Sequence, residues 1–185
     1  MTPEEAALVR VIGLLETAGI PYMVTGSIAT SYHGRPRATH DADVVIDPSP
    51  AQLDSFLETL ESAGFFVNAD GARGALQRRS QFNAIEIASA TKVDVIFRKD
   101  RPFSQEEFAR RQRVDFAFAS SVAVVTPEDA ILSKLEWARS AGDSERQVRD
   151  ASGVLALNPG IDRRYIEQWA VALGVIDLWR RIETG

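Results

Sequence analysis

Two aspartates, Asp41 and Asp43, stand one residue apart at the start of the apolar run "DADVVID", behind a Gly26-Ser27 pair and a basic loop. In an extended strand successive side chains alternate faces, so both carboxylates point one way while Ala42 and Val44 point the other. Holding like charges side by side away from water is unfavourable without a counter-charge. The chain must therefore fold so that one face of this strand joins a core and the other looks into a hydrated or cation-bearing cleft.

The same parity in "TKVDVIF" sets Lys92, Asp94 and Ile96 on one face and Val93, Val95 and Phe97 on the other. If this strand lies beside the first, Asp41, Asp43 and Asp94 converge. A hard divalent cation relieves such a cluster, and Mg2+ suits it because that ion keeps waters and accepts one or two carboxylates plus substrate phosphates. Two such ions bridged by shared carboxylates drive in-line displacement at phosphorus. Gly26 and Ser27, at the junction of a strand and a helix start, are suited to phosphate: glycine lets the backbone approach, serine adds a hydroxyl, and the helix dipole favours anions. Taken singly, Asp-x-Asp also fits a solvated turn, and Asp94 also fits a surface residue paired with Lys92 or Arg98. Order, spacing and strand parity together favour the cleft.

Helical spacing of Leu8, Ile12 and Leu15 behind Pro3 predicts a helix over 3–18. A strand in "IPYMVTG", a short helix in "SIATSYHG", the strand "DADVVID" and a helix in "AQLDSFLETLESAG" follow. The runs "QFNAIEIAS" and "TKVDVIF" read as paired strands turning near Ala90, and "DFAFASSVAVVT" as a hairpin. From Thr126 the texture is helical, with a threonine cap and proline behind it. These signals predict an α+β fold: a mixed sheet of about five strands flanked by helices over residues 1–125, and a C-terminal helical subdomain over 126–185 packed on it. Trp169, Leu173, Ile176 and Trp179 fall at helical spacings there. They suit a cover over the sheet or cleft, or else a dimer or partner surface.

Apolar residues make up 45% and charged residues 25%, which excludes disordered and fibrous classes. With no cysteine, disulfides, thiolate metal sites and cysteine nucleophiles are excluded as well. The acidic start "MTPEEAALVR" is unlike a secretory signal and no apolar run has membrane-span length, so a cytoplasmic protein with no membrane partner is expected. A net charge of -5 argues against a duplex-binding protein. Arginines nevertheless cluster at Arg35 and Arg37 and at Arg73, Arg78 and Arg79, where they could receive an RNA end.

The segments "VTGSIA", "RATHDADVVID" and "KVDVIF" together resemble the nucleotidyltransferase superfamily with the DNA-polymerase-beta-like fold. Its pattern is hydrophobic-Gly-(Gly or Ser), a spacer, Asp-hydrophobic-Asp and a third carboxylate on a later strand. Ala42 is smaller than the residue that pattern favours. "TPEDAILSKLEWARSAGDSERQVRDASGVL" is similar to the helical half of the AbiEii-like abortive-infection toxins and related small bacterial enzymes, and the "RATHDAD" loop is similar to antibiotic-modifying members. The resemblance implies an enzyme that moves a nucleoside monophosphate from a nucleoside triphosphate such as ATP to a hydroxyl, releasing pyrophosphate, with two Mg2+ ions. It implies catalytic and metal-ligating roles for Asp41, Asp43 and Asp94, with Asp94 as base, and nucleotide-binding roles for Gly26, Ser27, Arg37, Thr39 and Lys134. Asp150 would hold Lys134 or Arg149, while His33 and His40 read as loop or structural residues. The acceptor would be an RNA, a protein or a small molecule such as an aminoglycoside or lincosamide. The alternative is a non-catalytic nucleotide-binding or protein-interaction module, such as one half of a toxin-antitoxin pair with an antitoxin partner.

Overall fold

Three helices start with the same local device. Thr2, Ser49 and Thr126 each accept a hydrogen bond from a backbone N–H in the first turn, and Pro3, Pro50 and Pro127 follow them at the first helical position. The hydroxyl satisfies a donor the helix leaves unpaired, and proline lacks an N–H that would otherwise need a partner. These signals fix the starts of α1 (Pro3–Thr17), α3 (Pro50–Ser62) and α6 (Pro127–Ser140).

The computed structural model describes residues 1–36 and 41–184. Between and beyond those helices run β1 (Tyr22–Thr25), α2 (Gly26–His33), β2 (Ala42–Ile46), β3 (Phe65–Phe66), α4 (Ala69–Arg78), β4 (Gln81–Glu86), β5 (Thr91–Phe97), α5 (Pro102–Arg110), β6 (Gln112–Phe116) and β7 (Ala119–Val124). The helices α7 (Glu145–Leu157), α8 (Arg163–Ala172) and α9 (Ile176–Thr184) complete the chain. Among the described residues the strands form one mixed seven-stranded sheet in the order β3-β4-β5-β2-β1-β7-β6. β2 lies inside it, antiparallel to β1 and parallel to β5. Along β2, Ala42, Val44 and Ile46 are buried while Asp43 and Val45 are half-buried, so one face enters the core and the other meets the cleft.

The sheet has seven strands rather than about five. β3 adds a two-residue pairing at the edge, too short to show alternation, and "DFAFASSVAVVT" contributes both β6 and β7 in part. Sequence periodicity also passes over α4, whose Gly71 and Gly74 lower helix propensity, and α5, whose inward face includes Ser104 and Glu107 beside Phe103 and Phe108. In the C-terminal stretch the helical spacing is interrupted at Gly174, whose φ of 69° lies in the left-handed region, so Trp169 sits on α8 and Trp179 on α9.

One apolar cluster joins the sheet to α1 and α3 through residues such as Leu15, Val44, Phe56, Val95 and Phe97. A second joins α6 to α9 around Leu135, Val148, Ile166 and the almost fully buried Trp179, and takes in Phe103 of α5. No described helix is long and apolar enough to cross a membrane.

Asp129, fully buried on α6, ties α5, α6 and α8 together. Its carboxylate accepts from the hydroxyls of Thr126 and Tyr165, 2.7 Å each, and from Arg110 Nε at 3.2 Å. Burial, and then the bond to Asp129, push the Tyr165 phenol well above its ordinary pKa. A buried carboxylate is tolerated only with this number of donors, so removing it strands all of them. Asp129→Ala is expected to lower stability by about 3 kcal/mol, read as a drop in the urea midpoint at unchanged slope. A midpoint equal to that of the wild type would contradict this account of how the helices dock.

Candidate active site

β1 ends at Thr25 and the chain turns at Gly26, whose φ is 64°, directly into α2. Gly26 is required here twice. Its backbone conformation is one that residues with a Cβ rarely adopt, and an added Cβ would stand 2.0 Å from Asp43 Oδ2. Thr25 provides no side-chain cap, Ser27 is buried in the first turn, and Thr30 turns its hydroxyl back to the carbonyls of Gly26 and Ser27 at 3.0 and 3.1 Å. The positive end of the α2 dipole therefore lies against the Asp43 carboxylate.

The parallel register of β2 and β5 puts Asp43 beside Asp94, while the antiparallel register of β1 and β2 puts Thr25 opposite Asp43. Asp94 is 9% exposed; one of its oxygens, Oδ2, takes Lys92 Nζ at 2.8 Å, and the other, Oδ1, is buried without a hydrogen-bond partner. Burial first, then the charges of Asp94 and Asp41, push the Asp43 carboxyl up to about 6, against the opposing pull of Lys134 and Lys92. The bond to Asp94 in turn raises Lys92. Among the described residues, no three Asp, Glu or His side chains close into a ready-made metal shell. Asp43 and Asp94, with Asp41 at the exposed start of the strand, are the side chains that could hold a cation, and Lys92 supplies a positive charge at that position now.

Gly26, Ser27, Asp41, Asp43, Asp94 and Lys134 all line one cavity of about 330 Å³. Lys134, only 6% exposed, reaches it from α6 and is held by Asp150 Oδ2 at 3.1 Å. Arg37, Thr39 and His40 lie outside the described residues. His33 is not in this cavity; its Nε2 lies 2.7 Å from the Val125 carbonyl.

Sequence reasoning missed the wall opposite the strands, made by α5 and α6. Glu107, with 8% exposure, accepts from the Ser133 hydroxyl at 2.7 Å, Glu136 pairs with Arg101, and the indole of Trp137 stands exposed beside them. Burial pushes the Glu107 carboxyl up to about 7 despite the Ser133 bond. A usable signal exists in Pro102 at the first helical position with Phe103, Glu107 and Phe108 on one side of the helix that follows.

No family model matches the chain, and no curated protein matches it in sequence. Solved structures do. The antibiotic-resistance factor ANT(2'')-Ia shares 13% identity at a TM-score of 0.62, over 100% of this chain and 97% of that one. An antigenic nucleotidyltransferase-like protein from Paracoccidioides brasiliensis shares 16% at 0.62, over 97% and 92%. The lincosamide antibiotic adenylyltransferase LnuA, in its lincomycin-bound structure, shares 13% at 0.57, over 85% and 98%. At these identities the likeness is one of fold.

Since the folded-state pKa of Asp43 lies above its ordinary 3.8, its ionised form destabilises the metal-free fold above pH 6. That loss is relieved as pH falls through 6 toward 4. Asp43→Asn removes the charge at every pH, so in EDTA it is expected to exceed the wild type by about 1 to 2 kcal/mol at pH 8 and to match it near pH 4. Urea unfolding at the two pH values measures this, and an equal difference at both would contradict the assigned repulsion.

Proposed function

From the nucleotidyltransferase fold that the chain has, we propose that the protein transfers a nucleoside monophosphate from a nucleoside triphosphate to an acceptor hydroxyl, releasing pyrophosphate, with Mg2+. The observation that carries this reading is the strand register that sets Asp43 beside Asp94, with Gly26 packed so closely on Asp43 that no side chain fits. A binding module gains nothing from two carboxylates held together at the expense of its own stability.

The residues present fit a divalent cation: Asp43 and Asp94 stand side by side in a site that burial makes costly for their charge, and Asp94 Oδ1 has no hydrogen-bond partner among the described residues. Asp41, Asp43 and Asp94 would hold it. When bound, such an ion neutralises charge on the phosphates and acidifies a nearby hydroxyl. The chain's own residues do the rest. Gly26 and Ser27 receive the triphosphate at the positive end of α2, where the glycine admits close approach. Lys134, steadied by Asp150, answers the charge that builds on the leaving oxygens. Arg37 and Thr39 are assigned to the same phosphates on their place in "RATHDAD". The acceptor oxygen attacks the α-phosphorus, the bond from that phosphorus to its bridging oxygen breaks, and pyrophosphate departs. The acceptor's proton passes to the Asp94 carboxylate.

An α-labelled nucleoside triphosphate, Mg2+ and a cell extract serving as the acceptor pool test the reading. Wild type is expected to transfer label, and Asp94→Asn to do so about 10² to 10⁴ times more slowly while melting at a similar temperature. Equal labelling by the two proteins would overturn the assignment of the base.

A further inference from the structure

A second cavity, of about 450 Å³, opens between α2 and α7, and Thr30 is the residue its lining shares with the first. Arg146 and Arg149 reach it from α7, three residues apart and so on one face of the helix, and Arg35 reaches it from the end of α2. Among the described residues none of these three arginines makes an ion pair, whereas Arg10, Arg79, Arg98, Arg101 and Arg110 all do. The nearby acids are engaged elsewhere. Glu145 accepts from both terminal nitrogens of Arg181 at 2.8 Å each, and Asp150, at the cavity wall, is bound to Lys134. The Ser31 hydroxyl oxygen is also buried at this cavity without a hydrogen-bond partner.

The walls are fixed in place. An added Cβ on Gly34 would lie 2.9 Å from the Val154 nitrogen, so only glycine lets α2 end this close to α7. Asn158 Nδ2 donates to the His33 and Val154 carbonyls, 2.7 Å each, and His33 itself is bound to the Val125 carbonyl. A pocket lined by three exposed arginines that make no ion pair among the described residues suits a multiply charged oxyanion, since the planar guanidinium fork matches phosphate oxygens in pairs.

We propose that this cavity is a second phosphate site, and that the phosphate it takes is carried by the acceptor. The second clause rests on the transferase reading. The nucleotide's triphosphate belongs at Gly26 and Ser27, the first turn of α2, while Arg35 lies beyond its last residue, His33, which is itself roughly 10 Å along the axis from Gly26 at 1.5 Å per residue. An acceptor whose reacting hydroxyl lies at Asp94 and whose phosphate reaches this cavity would bridge the two cavities past Thr30, the residue their linings share. The enzyme would thus select a phosphorylated acceptor.

Calorimetric titration with inorganic pyrophosphate tests this, first on the protein alone and then with a non-hydrolysable nucleoside triphosphate analogue and Mg2+ at saturation. Wild type is expected to bind pyrophosphate with the analogue in place, more weakly as salt rises. Arg146→Gln/Arg149→Gln is expected to bind it at least about tenfold more weakly while keeping the wild-type affinity for the analogue. Arg35→Gln, which leaves α7 untouched, should weaken it in the same direction. Unchanged pyrophosphate affinity in both variants would overturn the site. Mutual exclusion of analogue and pyrophosphate, or loss of analogue affinity in the double variant, would hand the cavity to the nucleotide and overturn the acceptor clause. If the analogue binds neither protein, the transferase reading falls, and the titration of the protein alone still decides the cavity.

Discussion

Parallel pairing of β2 with β5 forces the carboxylates of Asp43 and Asp94 side by side, and much of the molecule answers that repulsion. Val44 and Val95, on the opposite face of the same strands, anchor the pair in the core and deny it any retreat. Gly26 closes the other side so tightly that Asp43 cannot swing away toward α2. Lys92 and Lys134 bring positive charge, yet burial first, and then the charges of Asp94 and Asp41, keep Asp43 raised to about 6. On the proposed reading, the sheet would gain stability when a cation and a phosphate arrive.

The helical elements extend the same logic across the cleft. Asp129, fully satisfied by Thr126, Tyr165 and Arg110, locks α5 and α8 onto α6, and that fixes both Lys134 and the Glu107 wall relative to the strands. Lys134 is bound to Asp150, an acid of α7 that also lines the arginine-bearing cavity. The Asp43–Asp94 cleft and the arginine-lined cavity are thus linked by this ion pair. The nucleotide's charge and a second phosphate would meet across it.

The pairing of Asp43 with Asp94 was legible from strand parity, because alternation depends on the backbone alone. Helix starts at Pro3 and Pro127 were legible for the same local reason, while the start at Pro50 was not read from the "PSP" before it. What escaped depends on tertiary pairing. Glu107 lies on the inward face of α5, where a buried acid breaks the apolar rhythm that marks a helix. Clustering in sequence groups Arg35 with Arg73 and Arg79, but Arg73 pairs with Asp54 and Asp70, and Arg79 with Asp47 and Asp100. Arg35 instead joins Arg146 and Arg149, which are more than a hundred positions away in the chain. Which arginines keep their charge unanswered is decided by partners that no linear spacing reveals.

On the proposed reading, a nucleoside triphosphate binds at the Asp43–Asp94 cleft in a cation-dependent way. Thermal unfolding with ATP, GTP, CTP and UTP in turn, with and without Mg2+, on the wild type and on Asp41→Ala/Asp43→Ala, tests it most directly. At a hundred times the dissociation constant a ligand adds about 2.7 kcal/mol, or roughly 5 to 10 °C for a chain of this size. The account predicts a shift of that order with at least one nucleotide, dependent on Mg2+ and lost in the double variant. A shift of the same size in the double variant, or none with any nucleotide, would contradict it.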